Sequence, residues 1–310
     1  MTTKTRILLF GKNGQLGYQL QQSLANIGKI YAYDRENCDL TNFDALDIII
    51  ENINPNIIIN AAAYTSVDKA EEEPLLAHRI NSEAVAIMAE FAKKRDALLV
   101  HYSTDYVFDG LKSSPYIESD IAIPLSVYGR SKLSSEVVVQ KINCKHLIFR
   151  ISWLFSVRGS NFLKTILKLA KEKDSIKVVD DQYGAPTSVK LVADLTGLAI
   201  RQWLTNPKEQ SNLTGLYHLT SMGETSWYGY AKHIIDVASS LGITLRCKSE
   251  EVQAIKSEDH FMKAKRPASS RLDNSKFIST FGGQLPCWQD HVSYVIKKIS
   301  EIIKTQNILS

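Results

Sequence analysis

The chain has 310 residues, 44% hydrophobic and 23% charged, an ordinary globular composition with length for one large core or two unequal ones. Its formal net charge of +4, without an Arg/Lys block or a basic stripe interleaved with aromatics, argues against nucleic acid and leaves room for an anionic small molecule. Cys38, Cys144, Cys247 and Cys287 lie far apart with no Cys-x-x-Cys, so neither a disulfide framework nor a zinc site is expected, a reducing cytoplasm fits, and no apolar stretch is long enough to cross a bilayer.

Short β-branched runs at Arg6 to Phe10, Lys29 to Tyr33, Ile57 to Asn60, Leu98 to Ser103 and His146 to Ser152 predict strands. Helical periodicity separates them: Gln15 to Ile27, Phe43 to Asn52 with Thr41 or Asn42 as cap, and a long stretch from Pro74 to Lys94. With right-handed crossovers this is an α/β chain with a doubly wound parallel sheet of Rossmann type, helices on both faces. After Ser152 the alternation loosens. Helices near 161–173, 188–204 and 227–241 alternate with Gly-, Pro- and Asn-containing loops, so a smaller mixed α/β domain is expected over 156–310, some of its elements returning to the sheet of 1–155.

Gly11-Lys12-Asn13-Gly14-Gln15-Leu16-Gly17 follows the first strand and opens the first helix. A turn without Cβ atoms lets backbone amides approach a pyrophosphate, and the helix N-terminus adds partial positive charge, so Gly11, Gly14 and Gly17 are candidate dinucleotide contacts. Asp34 ends the second strand, where a carboxylate can accept from an adenosine ribose, whereas Arg35 beside it can pair with a 2′-phosphate. The two signals conflict, and coenzyme preference stays open between NADH and NADPH. Asp39 and Leu40 are candidate adenine contacts, with helix-start stabilisation by Asp39 as the alternative. The run Asn60-Ala61-Ala62-Ala63-Tyr64-Thr65 permits close approach of a cofactor backbone, and tight helix-to-sheet packing explains its alanines equally well.

His101-Tyr102-Ser103-Thr104-Asp105-Tyr106-Val107-Phe108 brings hydroxyls to the carboxyl edge of the sheet. Thr104 is the first candidate for orienting a substrate carbonyl and Ser103 the second. One loop later, Tyr128 and Lys132 lie four apart on a helix face, and a cation beside a phenol pulls its pKa down, which would make Tyr128 a general acid or base. The same spacing recurs at Tyr228/Lys232 and Tyr294/Lys298. Those pairs lack a preceding strand edge with hydroxyls and read as ordinary amphipathic positions.

Together, the glycine-rich turn, Asn60-Ala61-Ala62-Ala63, Ser103-Thr104-Asp105-Tyr106-Val107-Phe108-Asp109-Gly110 and the Tyr-x-x-x-Lys helix resemble the extended short-chain dehydrogenase/reductase superfamily. Val67 to Glu71, Phe149 to Trp153, Asp181 to Thr187 and Arg266 to Asp273 are similar to motifs of its dTDP-4-dehydrorhamnose reductase family, so the resemblance covers nearly the whole chain. It implies NADPH- or NADH-dependent reduction of the C4 keto group of dTDP-4-dehydro-β-L-rhamnose, for surface polysaccharide, by a cytoplasmic enzyme whose residues 156–310 mainly bind the sugar nucleotide. By the same carry-over, Thr104, Tyr128 and Lys132 match the catalytic triad. Gly14, Gln15, Leu16, Asp34, Asp39, Leu40, Ala63, Tyr64, Thr65 and Tyr102 match cofactor contacts, while Thr104, Asp105, Tyr128 and Trp153 match sugar-nucleotide contacts. In this scheme Tyr128 protonates the developing alkoxide, Lys132 lowers the phenol's pKa and holds the nicotinamide ribose, and Thr104 orients the carbonyl. Some members dimerise around Mg²⁺ held by glutamates. Gln19 and Lys190 stand at two of those positions here, which argues against a metal link, though a homodimer stays open. Other readings are a related 4-keto-6-deoxyhexose reductase with different C4 stereochemistry, and a non-catalytic NADP-binding regulatory subunit.

Overall fold

The computed structural model describes residues 5–308. Strands β1 (Arg6–Phe10), β2 (Lys29–Tyr33), β3 (Ile57–Asn60), β4 (Leu98–Thr104), β5 (His146–Ile151) and β7 (Gly215–His218) form one parallel sheet in the order β7-β5-β4-β3-β1-β2. Helices cover both faces, which is why the central strands read as unbroken apolar runs. Ile7, Leu9, Val100 and Phe149 meet α1 (Gln15–Ser23) and α6 (Val189–Thr205) on one face; Leu8, Ile58, Leu99 and Ile148 meet α2 (Phe43–Ile53) and α3 (Ala84–Lys94) on the other.

Local chemistry sets the element ends. Asn42, rather than Thr41, caps α2 by accepting from the Ala45 N–H at 3.1 Å, and Asp39 accepts from the N–H and hydroxyl of Thr41 just before it. Helix α1 stops at Ser23, four residues before the sequence pattern predicts. The chain must turn there to enter β2, and at Gly28 a Cβ would stand 2.3 Å from the Thr5 carbonyl oxygen. The helical stretch from Pro74 is interrupted by a π turn over Arg79–Glu83. That turn places the Asn81 amide between Tyr64 and the helix over 127–142: its Oδ1 accepts from the Tyr64 N–H at 2.7 Å, and its Nδ2 donates to Ser131 Oγ at 2.9 Å.

A second core lies beyond the sheet. It is built from α5 (Phe162–Glu172), β6 (Ile176–Val179), α7 (Trp227–Ser240), β8 (Val252–Ile255) and α9 (Trp288–Ile308), with Leu163, Ile166, Val178, Ile234, Ile235 and Val292 buried between them. Between these elements, β7 pairs with β5 in the main sheet and α6 packs on its face, so the two cores interleave along the chain. The segment after β8 crosses back to the first half, where Arg266 pairs with Asp68 at 2.8 Å and Lys263 with Glu72. Among the described residues no helix is long and apolar enough to cross a membrane.

Candidate active site

The carboxyl ends of β1, β3 and β4 open onto a cleft of about 760 Å³. At one end β1 turns at Gly11, whose φ of +86° favours glycine and where a Cβ would lie 2.7 Å from the Ala62 nitrogen. Gly14 begins α1 with no side chain capping the first turn, leaving amide donors for an anion. Gly11, Gly14, Gln15, Leu16, Asp34 and Arg35 line this end, and Ala63 and Thr65 the middle. Gly17 does not line the cleft; it is buried beneath the turn, where a Cβ would stand 2.0 Å from the Gly11 carbonyl oxygen. Asp39, Leu40 and Tyr64 line an adjoining hollow of about 330 Å³ that shares Asp34, Arg35 and Ala63 with the cleft. Burial opposes the charge on Asp34, but the Asn37 N–H and the Lys12 ammonium at 3.2 Å outweigh it and hold the carboxyl below its usual range. Arg35, by contrast, is exposed and reaches Asp39 at 3.4 Å.

At the other end stand Thr104, Asp105, Tyr128, Lys132 and Trp153. Tyr128 and Lys132 lie on α4 (Val127–Ile142), which starts where Ser126 Oγ accepts from the Gly129 N–H at 3.1 Å. Thr104 donates to Asp105 Oδ1 at 2.9 Å and its hydroxyl also bonds the Tyr128 phenol. Burial pushes Tyr128 up to about 12, the Thr104 hydroxyl only partly offsetting it and Asp105 adding to it. Lys132 does not lower this phenol, contrary to the sequence expectation. Burial instead brings the lysine itself down to about 7 against the pull of Glu136, and its nitrogen sits 3.2 Å from His101 Nε2. The reason is desolvation: four-residue spacing puts the groups on one face, but that face is dry, and a dry site disfavours both charges.

Asp105 is buried, pushed up to about 6 despite hydroxyls from Ser270 and Thr104, and its Oδ2 has no hydrogen-bond partner among the described residues. Trp153 adopts φ +46°, a strained backbone for a bulky residue, and its ring stacks on Trp227 with centroids 3.6 Å apart. Gly184 makes room for the indole, since a Cβ there would come within 2.7 Å of Cε2. Tyr102 borders the cleft, yet its hydroxyl bonds Thr196 Oγ1 at 2.9 Å in the core under α6. Tyr64 donates its hydroxyl to Glu73 at 2.6 Å. Lys190 is engaged by Asp194 at 2.6 Å, and among the described residues no group of three acidic, His or Cys side chains is arranged to hold a metal.

Sequence reasoning missed a second layer. Along β4, His101 and Ser103 point to α4, where Ser135 and Glu136 answer them. His101 Nε2 lies 2.9 Å from Ser135 Oγ, and the Ser103 hydroxyl donates to Glu136. Glu136 in turn takes a bidentate contact from Arg150 of β5, at 3.0 and 2.6 Å. The available signal was a pair of matched ladders: polar residues two apart on a strand that is otherwise apolar, and Tyr128, Lys132 and Glu136 four apart on a helix.

A parallel sheet of this order, with a glycine turn after β1 and a Tyr-Lys helix beside the end of β4, defines a Rossmann-type reductase fold. Residues 5–301 match the family model described as the RmlD substrate binding domain, and the chain belongs to that family. It is 44% identical over 307 residues to the dTDP-4-dehydrorhamnose reductase of Salmonella typhimurium (strain LT2), covering 97% of this chain and 99% of that protein. The Escherichia coli (strain K12) dTDP-4-dehydrorhamnose reductase is 42% identical over 297 residues, covering 94% and 97%. Among solved structures, the dTDP-4-dehydrorhamnose reductase of Bacillus anthracis in complex with NADP superposes with a TM-score of 0.84 at 34% identity, covering 96% of this chain and all 100% of that one.

Proposed function

We propose that this protein reduces the C4 keto group of dTDP-4-dehydro-β-L-rhamnose to give dTDP-β-L-rhamnose, using NADPH or NADH, for surface polysaccharide synthesis. The observation that carries the reading is that Thr104, Tyr128 and Lys132 meet at one end of a cleft whose other end is an uncapped helix start beneath a glycine turn. The uncapped first turn and the Cβ-free approach at Gly11 fit a dinucleotide pyrophosphate; Asp34 and Arg35 stand where its adenosine end would be held, and Lys132 where its ribose would. When bound, the reduced coenzyme supplies the hydride.

Everything else falls to side chains. Tyr128 donates to the carbonyl oxygen, and Thr104 joins it by turning its one hydroxyl proton from Asp105 to the substrate, so the two fix its orientation. With its pKa near 12, Tyr128 keeps its proton at neutral pH and still gives it readily to the far more basic alkoxide that forms at C4. Asp105 and Trp153 bound the sugar pocket, and desolvation there strengthens each hydrogen bond to the developing charge. Asp34 beside Lys12, and the exposed Arg35 held at the rim by Asp39 at 3.4 Å, offer partners to a ribose hydroxyl and a 2′-phosphate respectively, which supports use of either coenzyme. The same proposal places the enzyme in the cytoplasm, supported by four free cysteines, and includes no metal-bridged dimer, since a lysine stands at 190 and pairs with Asp194.

The test is incubation with dTDP-4-dehydrorhamnose and NADPH, with NMR identification of the sugar. L-Rhamnose is expected; the C4 epimer, or no turnover, overturns the assignment.

A further inference from the structure

Two neighbours of Lys132, Glu136 and His101, look like acceptors for its protons, and both are withheld. Glu136, one turn along α4, has both carboxylate oxygens taken by Arg150, and the Ser103 hydroxyl adds to one of them. His101 is the other neighbour, and the geometry assigns its tautomer. Asn60 Oδ1 accepts from the Ala62 N–H at 3.1 Å, which fixes the amide so that Nδ2 faces His101 Nδ1 at 3.3 Å. A donor there requires a lone pair on Nδ1, so the neutral ring carries its proton on Nε2. The Ser135 hydroxyl donates to the Lys132 carbonyl at 2.6 Å, so its oxygen accepts from that Nε2–H at 2.9 Å.

Lys132 Nζ, 3.2 Å from the same Nε2, therefore meets an N–H rather than an acceptor. Asn60, His101 and Ser135 are all buried, so the chain ends inside the protein and is no proton path to solvent.

We propose that His101 is a positioning residue for Lys132: held by Asn60 as the Nε2–H tautomer, it refuses the lysine's protons and leaves them for ligand in the cleft. This rests on the reductase reading for what the ligand is, not for the tautomer. The charged and titratable groups around the amine are Tyr128 and Glu136 on its own helix, His101 from β4 and Asp105 directly after it, and Arg150 from β5 behind Glu136.

The first measurement is the His101 ring in long-range ¹H–¹⁵N spectra of the labelled protein between pH 6 and 9. A neutral ring protonated on Nε2 is expected throughout; an Nδ1–H tautomer or an imidazolium overturns the proposal. The second uses Asn60→Asp, which offers Nδ1 a carboxylate oxygen, draws the ring proton there and frees Nε2 to accept from Lys132. Its ring should switch tautomer, NADPH should bind about tenfold more weakly, and the alkaline limb of kcat/KM should move up by about 1 pH unit as the ammonium is stabilised. A switched ring with both quantities unchanged overturns the proposal.

If Asn60→Asp does not fold, the wild-type tautomer still decides, together with His101→Gln, whose amide puts an N–H where the Nε2–H stood, against His101→Glu, whose carboxylate offers Lys132 an acceptor. Gln should keep NADPH affinity within about threefold while Glu loses about tenfold; equal losses overturn the proposal. Should wild type bind NADPH yet fail to reduce the keto sugar, the function reading falls while the tautomer and NADPH titrations still judge this one.

Discussion

Helices α4 and α7 begin with nearly the same words, Ser126-Val127-Tyr128-Gly129 and Ser226-Trp227-Tyr228-Gly229, each followed by a lysine four residues after the tyrosine. Even their caps agree: Ser226 Oγ accepts from the Gly229 N–H at 3.0 Å, as Ser126 Oγ does from Gly129. What differs is the neighbour. Helix α4 lies against the polar end of β4, where Lys132 is 2% exposed and Tyr128 bonds Thr104. Helix α7 packs into the second core, its Lys232 lying 5.5 Å from the centre of the Tyr228 ring, an ordinary cation-π contact at a half-buried position. The third pair, on α9, is similar, with Lys298 also paired to Glu301 at 2.8 Å. Spacing brings tyrosine and lysine together; the burial and partners supplied by another element make them reactive.

The largest test of this contrast is chemical. Tyr128→Phe should lower kcat by about 10² to 10⁴ while leaving NADPH affinity nearly unchanged, and Tyr228→Phe should leave kcat within about twofold, both read from steady-state kinetics and coenzyme titration. Similar losses in the two variants would mean that position does not separate the helices.

Next in size is the support behind α4. Arg150→Met strands the Glu136 carboxylate in a dry interior, and denaturant unfolding should show a loss of about 3–5 kcal/mol. The exposed pair on α9 should not approach that. Lys298→Ala, which removes an exposed partner of Glu301, should stay within about 0.5 kcal/mol.

Asp105 gives a smaller effect with a definite pH signature. Its folded pKa of about 6 lies above the ordinary 3.8, so the folded state binds the proton more tightly, and this contribution to stability falls as pH rises between those values. Asp105→Asn lacks that loss. It should be more stable than wild type above pH 6, by on the order of 2 kcal/mol, and the advantage should vanish near pH 4 in thermal unfolding followed across pH. An advantage that grows toward acid would contradict the burial of an uncompensated carboxyl. At the caps the changes are modest: Ser126→Ala should cost about 1 kcal/mol, and Ser226→Ala more, because Ser226 also donates to Asp180.

Much of this architecture was legible because it is local. Apolar runs of four to seven residues marked β1 to β5, and the glycine spacing marked the turn before α1. Thr104, Tyr128 and Lys132 were also reachable, since strand end, loop and helix start follow each other directly. The early stop of α1 was not, because it depends on Gly28 meeting Thr5 across the strand entry. Nor was the role of Gly17, which serves the packing of α1 on the turn and not the cleft. Strand β7 escaped as well: four residues, Gly215–His218, carry too little periodicity to be told from a loop until β5 pairs with them.

The amino-acid order by itself determined which segments become strand or helix, where the backbone must do without a Cβ, and that a phenol and an amine share a helical face. Those are properties of neighbours along the chain, set by periods of two and 3.6 residues and by the sterics of single residues. Tertiary structure alone decided the state of those groups. His101 and Lys132 are 31 residues apart, Glu136 and Arg150 are 14 apart on different elements, and Asn60 reaches His101 across 41. Such contacts have no one-dimensional signature, yet they exclude water from Tyr128 and Lys132, push the phenol up and the amine down, and engage Glu136 and His101 elsewhere than with the lysine. Burial in low dielectric acts on groups through their whole surroundings, so it could be read only after the sheet and α4 had closed upon each other.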